Sequence, residues 1–157
     1  MRREDEASRK LCWPTVVVPP AIRECVCFAY AMHKGELRPI GTAFFVGIPL
    51  GDTERFGCVV VTALHIVAKA REQEDDGRVH LRVNTTGGGV EFILVADSDW
   101  VVPDQSQEAI DVAVAVWPYG RDRFAFRFTT IDDAATPEVV ESQVVGPGDE
   151  VFSRVFS

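Results

Sequence analysis

The sequence predicts an antiparallel all-β fold, a small closed barrel, and three observations carry this prediction. Short runs of β-branched and aromatic residues alternate with small or polar residues through most of 21–130. Short polar or glycine-containing turns separate these runs. One segment alone has helical spacing, so the strand–helix–strand rhythm of a parallel sheet is missing.

The first three predicted strands lead into that helical segment. Residues 24–32 alternate larger and smaller side chains, and 38–48 form the next strand after a turn. The β-branched run at 58–62 predicts a buried third strand. Helical spacing follows over 63–72, where the apolar side consists of three residues, Leu64, Val67 and Ala68.

Three more strands complete the predicted sheet. They are 78–84, 90–96 and 110–117, with a polar loop at 97–109. In the first of them the apolar positions alternate with charged or polar ones and predict one buried face, formed by Val79, Leu81 and Val83. The acidic segment 132–143 is expected to be extended.

Composition limits the classes of function. With 157 residues, 46% of them hydrophobic, the chain is long enough for one domain with its own core. The net charge of −8 argues against binding to nucleic acid or to an anionic membrane, because both need a basic face. Residues 1–20 have the composition of a flexible charged lead-in, without a secretory signal, so we expect a cytoplasmic protein.

Four cysteines raise the question of a metal site. Cys25 and Cys27 lie two apart in a predicted strand and would share a face, while Cys12 and Cys58 lie elsewhere. Without a signal peptide we expect reduced thiols. A zinc site made of Cys-x-Cys and a histidine is the alternative, but the spacing is not that of a zinc ribbon or finger. We therefore predict no metal and no cofactor.

Three short motifs stand in an order that indicates catalysis. The segment 41-GTAFFV-46 opens on a glycine, 62-TALH-65 ends the third predicted strand, and Asp111 begins 111-DVAVAVW-117. A charge directly before so apolar a strand is unusual. A buried carboxylate needs hydrogen-bond partners, and a histidine N–H is a natural one. The structural alternative is that Asp111 caps a turn.

In this order the motifs resemble those of the trypsin-like (chymotrypsin-fold) serine peptidases. That family has G-[TS]-x-F-[FV]-[VI], then [VL]-T-A-x-H, then D-[IVL]-A-[VL], and its histidine precedes its aspartate. The resemblance covers about residues 22–157 and implies an antiparallel six-stranded Greek-key barrel over 21–130. It implies that 131–157 hold an inter-barrel linker and the first strand of a truncated second barrel, since 146-GPGDEVF-152 resembles that strand.

The resemblance implies a role for each matching residue. His65 matches the general base, which takes the proton of the nucleophile and returns it to the leaving amine. Asp111 matches the buried carboxylate that fixes the imidazole tautomer and stabilises the imidazolium. Gly41 matches a glycine with a backbone role. The implied activity is a serine-type endopeptidase of an intracellular, bacterial type, which acts on proteins or peptides.

One part of the family pattern is missing. The sequence contains no Gly-x-Ser-Gly, and none of its serines has flanking glycines: Ser8, Ser98, Ser106, Ser142, Ser153 and Ser157. In the family, the nucleophile, the oxyanion hole and the specificity pocket belong to the second barrel. We therefore expect these 157 residues alone to be inactive toward peptides.

The other histidines and aspartates have structural interpretations, and the chain has an alternative function. His33 is expected in a turn and His80 on the solvent face of a strand. Three other aspartates could take the role of Asp111, but they lie in a polar loop where carboxylates are expected: Asp97, Asp99 and Asp104. The alternative function is a non-catalytic binding or scaffold module that retains His65 and Asp111. Such a module would use the face that a second barrel covers, which should be apolar and prone to self-association.

Overall fold

The strands of the protein form one sheet in a computed structural model, which describes residues 20–51, 54–73, 75–104, 110–133 and 136–142. The described strands are β1 (Val26–His33), β2 (Glu36–Pro49), β3 (Phe56–Thr62), β4 (Val79–Asn84), β5 (Val90–Val95), β6 (Trp100–Val101), β7 (Ala113–Val116) and β8 (Thr129–Thr130). The described helices are α1 (Pro20–Glu24), α2 (Leu64–Gln73) and α3 (Pro137–Ser142). Two single 3-10 turns cover Asp97–Asp99 and Ile131–Asp133.

The sheet is antiparallel apart from one short pairing. Its strand order is β5-β4-β1-β2-β3-β7-β6, and β8 pairs in parallel with β2 at Val46 and Gly47. The predicted all-β, antiparallel class is confirmed. None of the helices in the described part of the chain is long and apolar enough to cross a membrane.

Over the described residues the sheet is not closed, although its two ends are neighbours in the sequence. β5 pairs with β4, whereas β6 pairs with β7, and only Ala96 and the 3-10 turn Asp97–Asp99 separate β5 from β6. At this 3-10 turn the chain changes its pairing partner, from β4 before the turn to β7 after it. The strand pairings therefore do not form the closed barrel that the sequence predicts.

The hairpin between β1 and β2 shows how local sequence fixes register. Lys34 and Gly35 form its turn with φ values of 52° and 77°, the pair of positive values that a type I′ turn requires. This turn matches the right-handed twist of the strands and pairs His33 with Glu36.

The core forms where small residues on some strands face large ones on others. The inner positions of β1 and β7 are small and fully covered: Cys27, Ala29, Ala31, Ala113 and Ala115. They leave room for an aromatic cluster in which the Phe45 ring lies 5.1 Å from Trp117 and 4.9 Å from Phe126, centroid to centroid. The predicted inner face of β4 is confirmed, since Val79, Leu81 and Val83 are all buried.

The prediction of an extended segment at 132–143 is wrong. Its described part contains the end of a 3-10 turn and then α3. Thr136-Pro137-Glu138 explains the helix, because threonine is a good N-cap and proline suits the first helical position. The lead-in before Pro20 and the proposed second-barrel strand at 146–152 lie outside the described residues.

The outer face of four adjacent strands carries a row of apolar side chains. Val101, Val114, Val61 and Phe44 are register partners across β6, β7, β3 and β2. Val101 is 69% exposed, and Val116 beside the row is 74% exposed. We call these five residues the outer apolar row. It crosses β7, the strand that follows Asp111.

Candidate active site

His65 lies in the first turn of α2, just after β3 ends at Thr62. The Thr62 hydroxyl is buried and donates to the Thr42 carbonyl oxygen at 2.7 Å, which fixes the end of the strand against β2. Ile66, Val67 and Ala70 hold α2 on the core. These anchors leave the His65 side chain directed outward, with 67% of it exposed.

The inner face of α2 differs from the predicted one. Val67 was predicted correctly, but Ile66 and Ala70 are the other buried residues, while Leu64 and Ala68 are only partly covered. Which side of α2 faces the core depends on the residue at which β3 ends, Thr62. Apolar spacing alone does not determine that residue.

The pairing of β3 with β7 brings Asp111 to His65. Thr62 pairs with Ala113, so Asp111 precedes β7 beside the first turn of α2. The Asp111 Oδ1 atom accepts a hydrogen bond from the His65 backbone N–H at 2.9 Å. Its Oδ2 atom lies 2.6 Å from His65 Nδ1. The structure thus brings together the two residues that the motifs select, by two separate contacts.

These contacts lower the pKa of the Asp111 carboxyl group. The backbone N–H of His65, followed by its ring, stabilises the anion and holds the pKa of Asp111 below its ordinary value. The expectation of a buried carboxylate is wrong, because 56% of the Asp111 side chain is exposed. Asp111 precedes β7 and lies at the surface, so hydrogen bonds to His65 lower its pKa with little opposition from burial.

The arrangement leaves one nitrogen of His65 available for chemistry. An ionised carboxylate can only accept hydrogen bonds, so the neutral ring carries its proton on Nδ1. The lone pair of Nε2 is then free to accept a proton from another group. An imidazole held in this tautomer by a carboxylate can act as a general base.

Asp111 also has a structural role. Its Oδ1 atom satisfies an N–H in the first turn of α2, a group without a partner inside the helix. The turn-capping interpretation is therefore compatible with the catalytic one, because the two oxygens perform different tasks.

Gly41 keeps α2 close to β2. A Cβ atom at this position would lie 2.6 Å from Ile66 Cδ1 and 3.0 Å from Ile66 Cγ1. Ile66 follows His65 directly and is buried, so a side chain at residue 41 would push on the helix that carries the histidine.

Gly41→Ala is expected to lower the free energy of unfolding by about 1–3 kcal/mol through overpacking against Ile66. Urea denaturation measures this loss. Gly87→Ala is the matched control, since nothing lies within 4 Å of its added Cβ. The control should change stability by no more than about 0.5 kcal/mol. Equal losses in the two variants would contradict the role given to Gly41.

The other titratable candidates form contacts of their own. Asp97 binds the Arg71 guanidinium. His80 Nε2 lies 2.8 Å from Asp76 Oδ2, and only 13% of the His80 side chain is exposed. The expectation that His80 faces solvent is therefore wrong. This second histidine–aspartate pair was missed, although the four-residue spacing was a visible signal.

Two of the serines lie in described segments. Ser98 lies in the 3-10 turn after β5, and Ser142 ends α3. The remaining serines are outside the described residues. Within the described ranges, no group of three or more His, Cys, Asp or Glu side chains is placed to hold a metal ion.

Three cysteines lie in the described residues and none of them is joined in a disulfide: Cys25, Cys27 and Cys58. Burial raises the pKa of the Cys27 thiol to about 12 and that of Cys58 to about 11. A thiol needs to ionise before it attacks an alkylating reagent. Neither group is therefore prepared for nucleophilic chemistry near neutral pH.

Alkylation by iodoacetamide at pH 8 should be at least about a hundredfold slower at Cys27 in the folded chain than in the unfolded chain. Peptide mass mapping at timed intervals measures the rate at each cysteine. Modification of Cys27 at the unfolded rate would contradict its burial.

In comparisons with known proteins, no family model, no curated protein and no solved structure matches this chain.

Proposed function

We propose that this chain is the histidine- and aspartate-bearing half of a trypsin-like serine endopeptidase. The observation that carries the proposal is the double contact of Asp111 with the backbone N–H and the ring Nδ1 of His65. One oxygen fixes the position of the carboxylate and the other fixes the ring tautomer. His65 is the general base, and Asp111 orients it and stabilises the imidazolium.

The proposal includes a Greek-key barrel as the fold. Its support is that β5 and β6, the two ends of the sheet, are consecutive and separated by a single 3-10 turn. A ring of strands passing through Asp97–Asp99 would enclose the aromatic cluster. The order β4-β1-β2-β3-β7 also has the crossover between β3 and β4 that a Greek key requires.

The nucleophile belongs, in this proposal, to a second barrel that these 157 residues do not contain. The exposure of His65 and Asp111 favours a covering partner, because a catalytic dyad works best with water excluded. The outer apolar row crosses β7 beside the dyad, and an exposed apolar surface of this kind favours contact with another protein surface. The second barrel would follow in cis, and without it the row would favour self-association.

The same exposed row supports the alternative function, a non-catalytic binding or scaffold module. The coding sequence downstream of Ser157 separates the two. A Gly-x-Ser-Gly segment in the next half-domain supports the peptidase, and a stop codon directly after Ser157 supports the module.

Labelling with a fluorophosphonate probe tests the peptidase on protein. These 157 residues alone should not be labelled, whereas a longer chain that includes the serine segment should be. In the longer chain, His65→Gln should abolish labelling and the cleavage of casein. His80→Gln is the matched control, because His80 also pairs with an aspartate, and it should keep both activities. Labelling that survives His65→Gln would refute the assignment of the base.

A further inference from the structure

A cavity of about 340 Å³ opens where β1 and β4 separate. The two strands pair from Tyr30 and His80 as far as Phe28 and Arg82, and their pairing ends there. Val26, Cys27 and Val83 lie beyond that point and line the opening. The cavity contains neither His65 nor Asp111, so it is separate from the candidate active site.

The smaller part of the cavity lining is apolar and lies at its floor. Cys27, Phe45 and Val83 belong to the buried core, each at most 3% exposed. Ala125 lines another side, where its backbone N–H donates to the Asn84 carbonyl oxygen at 2.9 Å. These groups offer van der Waals contact to the apolar part of a ligand.

The polar lining carries an excess of positive charge. Arg23 and Arg82 both line the cavity, and neither forms an ion pair with a carboxylate in the part of the chain that the structure describes. Glu24 also lines it, but its Oε2 atom accepts from Arg127 Nε at 2.8 Å. Arg127 therefore balances part of the Glu24 charge, while Arg23 and Arg82 keep their guanidinium groups available in a protein of net charge −8.

We propose that this cavity binds a monocarboxylate with a short apolar body, whose carboxylate contacts Arg23 and Arg82. A guanidinium matches the two oxygens of a carboxylate with two parallel hydrogen bonds. The apolar floor accepts the body of the ligand, and the volume suits a small molecule. The Glu24 carboxylate disfavours a second negative charge, so a monoanion is preferred over a phosphate dianion.

Two sources supply this chemistry: a free short-chain acid, or the C-terminal carboxylate of a peptide that ends in an apolar residue. Hexanoate represents the first source and N-acetylphenylalanine the second. Their neutral amides, hexanamide and N-acetylphenylalaninamide, have the same body without the charge.

Titration of the full chain, followed in ¹H–¹⁵N spectra, tests the proposal. At least one carboxylate should bind saturably at millimolar concentration and shift the amides of 26–28 and 82–84. Its neutral amide should bind at least about tenfold more weakly, since hydrogen bonds to charged groups are lost. The tighter of the two carboxylates identifies the source. Equal binding of acid and amide, failure of both acids to bind, or equal binding of inorganic phosphate would overturn the proposal.

Variants locate the carboxylate. Arg23→Gln and Arg82→Gln should each weaken binding at least about tenfold. Arg38→Gln is the matched control, because Arg38 lies on β2 outside the cavity and its side chain is 57% exposed. The spectra of the free variants report whether each one is folded. Unchanged affinity in a folded Arg23→Gln/Arg82→Gln double variant would refute the site.

Discussion

Asp111→Asn is expected to move the proton of the neutral His65 imidazole from Nδ1 to Nε2. The backbone N–H of His65 can only donate, and it lies 2.9 Å from Oδ1. The amide oxygen of asparagine would therefore occupy the Oδ1 position, which places its NH₂ group at the Oδ2 position, facing Nδ1. Nδ1 must then accept a hydrogen bond, so the ring proton resides on Nε2.

The ¹⁵N shifts of the two ring nitrogens measure this change directly. Asp76→Asn is a closely matched control. Asp76 Oδ1 also accepts from a backbone N–H, that of Arg78 at 3.1 Å, and its Oδ2 faces His80 Nε2. That variant should switch the tautomer of His80 and leave His65 unchanged. A His65 ring that keeps its proton on Nδ1 in Asp111→Asn would contradict the geometry.

The change of tautomer has a large consequence under the proposed function. With its proton on Nε2, His65 has no lone pair directed at a serine, so it cannot act as the base. An aspartate-to-asparagine change at this position of a serine triad lowers kcat by about 10⁴. A complete peptidase carrying Asp111→Asn should show a loss of that order, measured on a peptide substrate near neutral pH.

Phe45→Ala should be the most destabilising single truncation in the core that we consider, with a loss of about 3–5 kcal/mol in the free energy of unfolding. The ring is 1% exposed and packs against both Trp117 and Phe126. Its removal costs the transfer free energy of the ring and leaves a cavity that the rigid β2 strand cannot close.

The neighbouring residue supplies the matched control. Phe44 lies on the same strand, points to the opposite face and is 42% exposed. Phe44→Ala should cost less than about 1 kcal/mol, since little of its ring leaves a packed environment. Urea denaturation of both variants, with comparison of their slopes, measures the difference. Similar losses for the two would mean that the alternation along β2 does not separate a buried face from an exposed one.

Alternation predicted the strands well, because burial on one face imposes a period of two. Val79, Leu81 and Val83 in β4 are the clearest case, since each lies between polar neighbours and each is buried. The helix α2 was predicted with its extent nearly right and its inner face only partly right. Its contacts with β2, such as Ile66 against Gly41, are tertiary and are not encoded in helical spacing.

Long-range contacts explain what the sequence did not reveal about the titratable groups. His80 contacts Asp76 in the loop before β4, and this loop is held against the β1–β2 turn. Asp75 accepts from the Gly35 N–H at 2.9 Å, and its own N–H donates to the Met32 carbonyl oxygen. Apolar patterning carries no information on such polar anchors. The contact between His65 and Asp111 was predicted from their short flanking sequences, whereas the exposure of both side chains was not.

The contact between His65 and Asp111 also indicates when the site forms during folding. The two residues are 46 positions apart, and the segment between them includes α2, β4 and β5. Closing so long a loop costs entropy that the pairing of β7 with β3 must repay. The hairpins of β1, β2 and β3 can form earlier from local contacts. The His65 amide should therefore gain protection from hydrogen exchange only when β7 docks, and fraying of that one strand would dismantle the dyad while the hairpins persist.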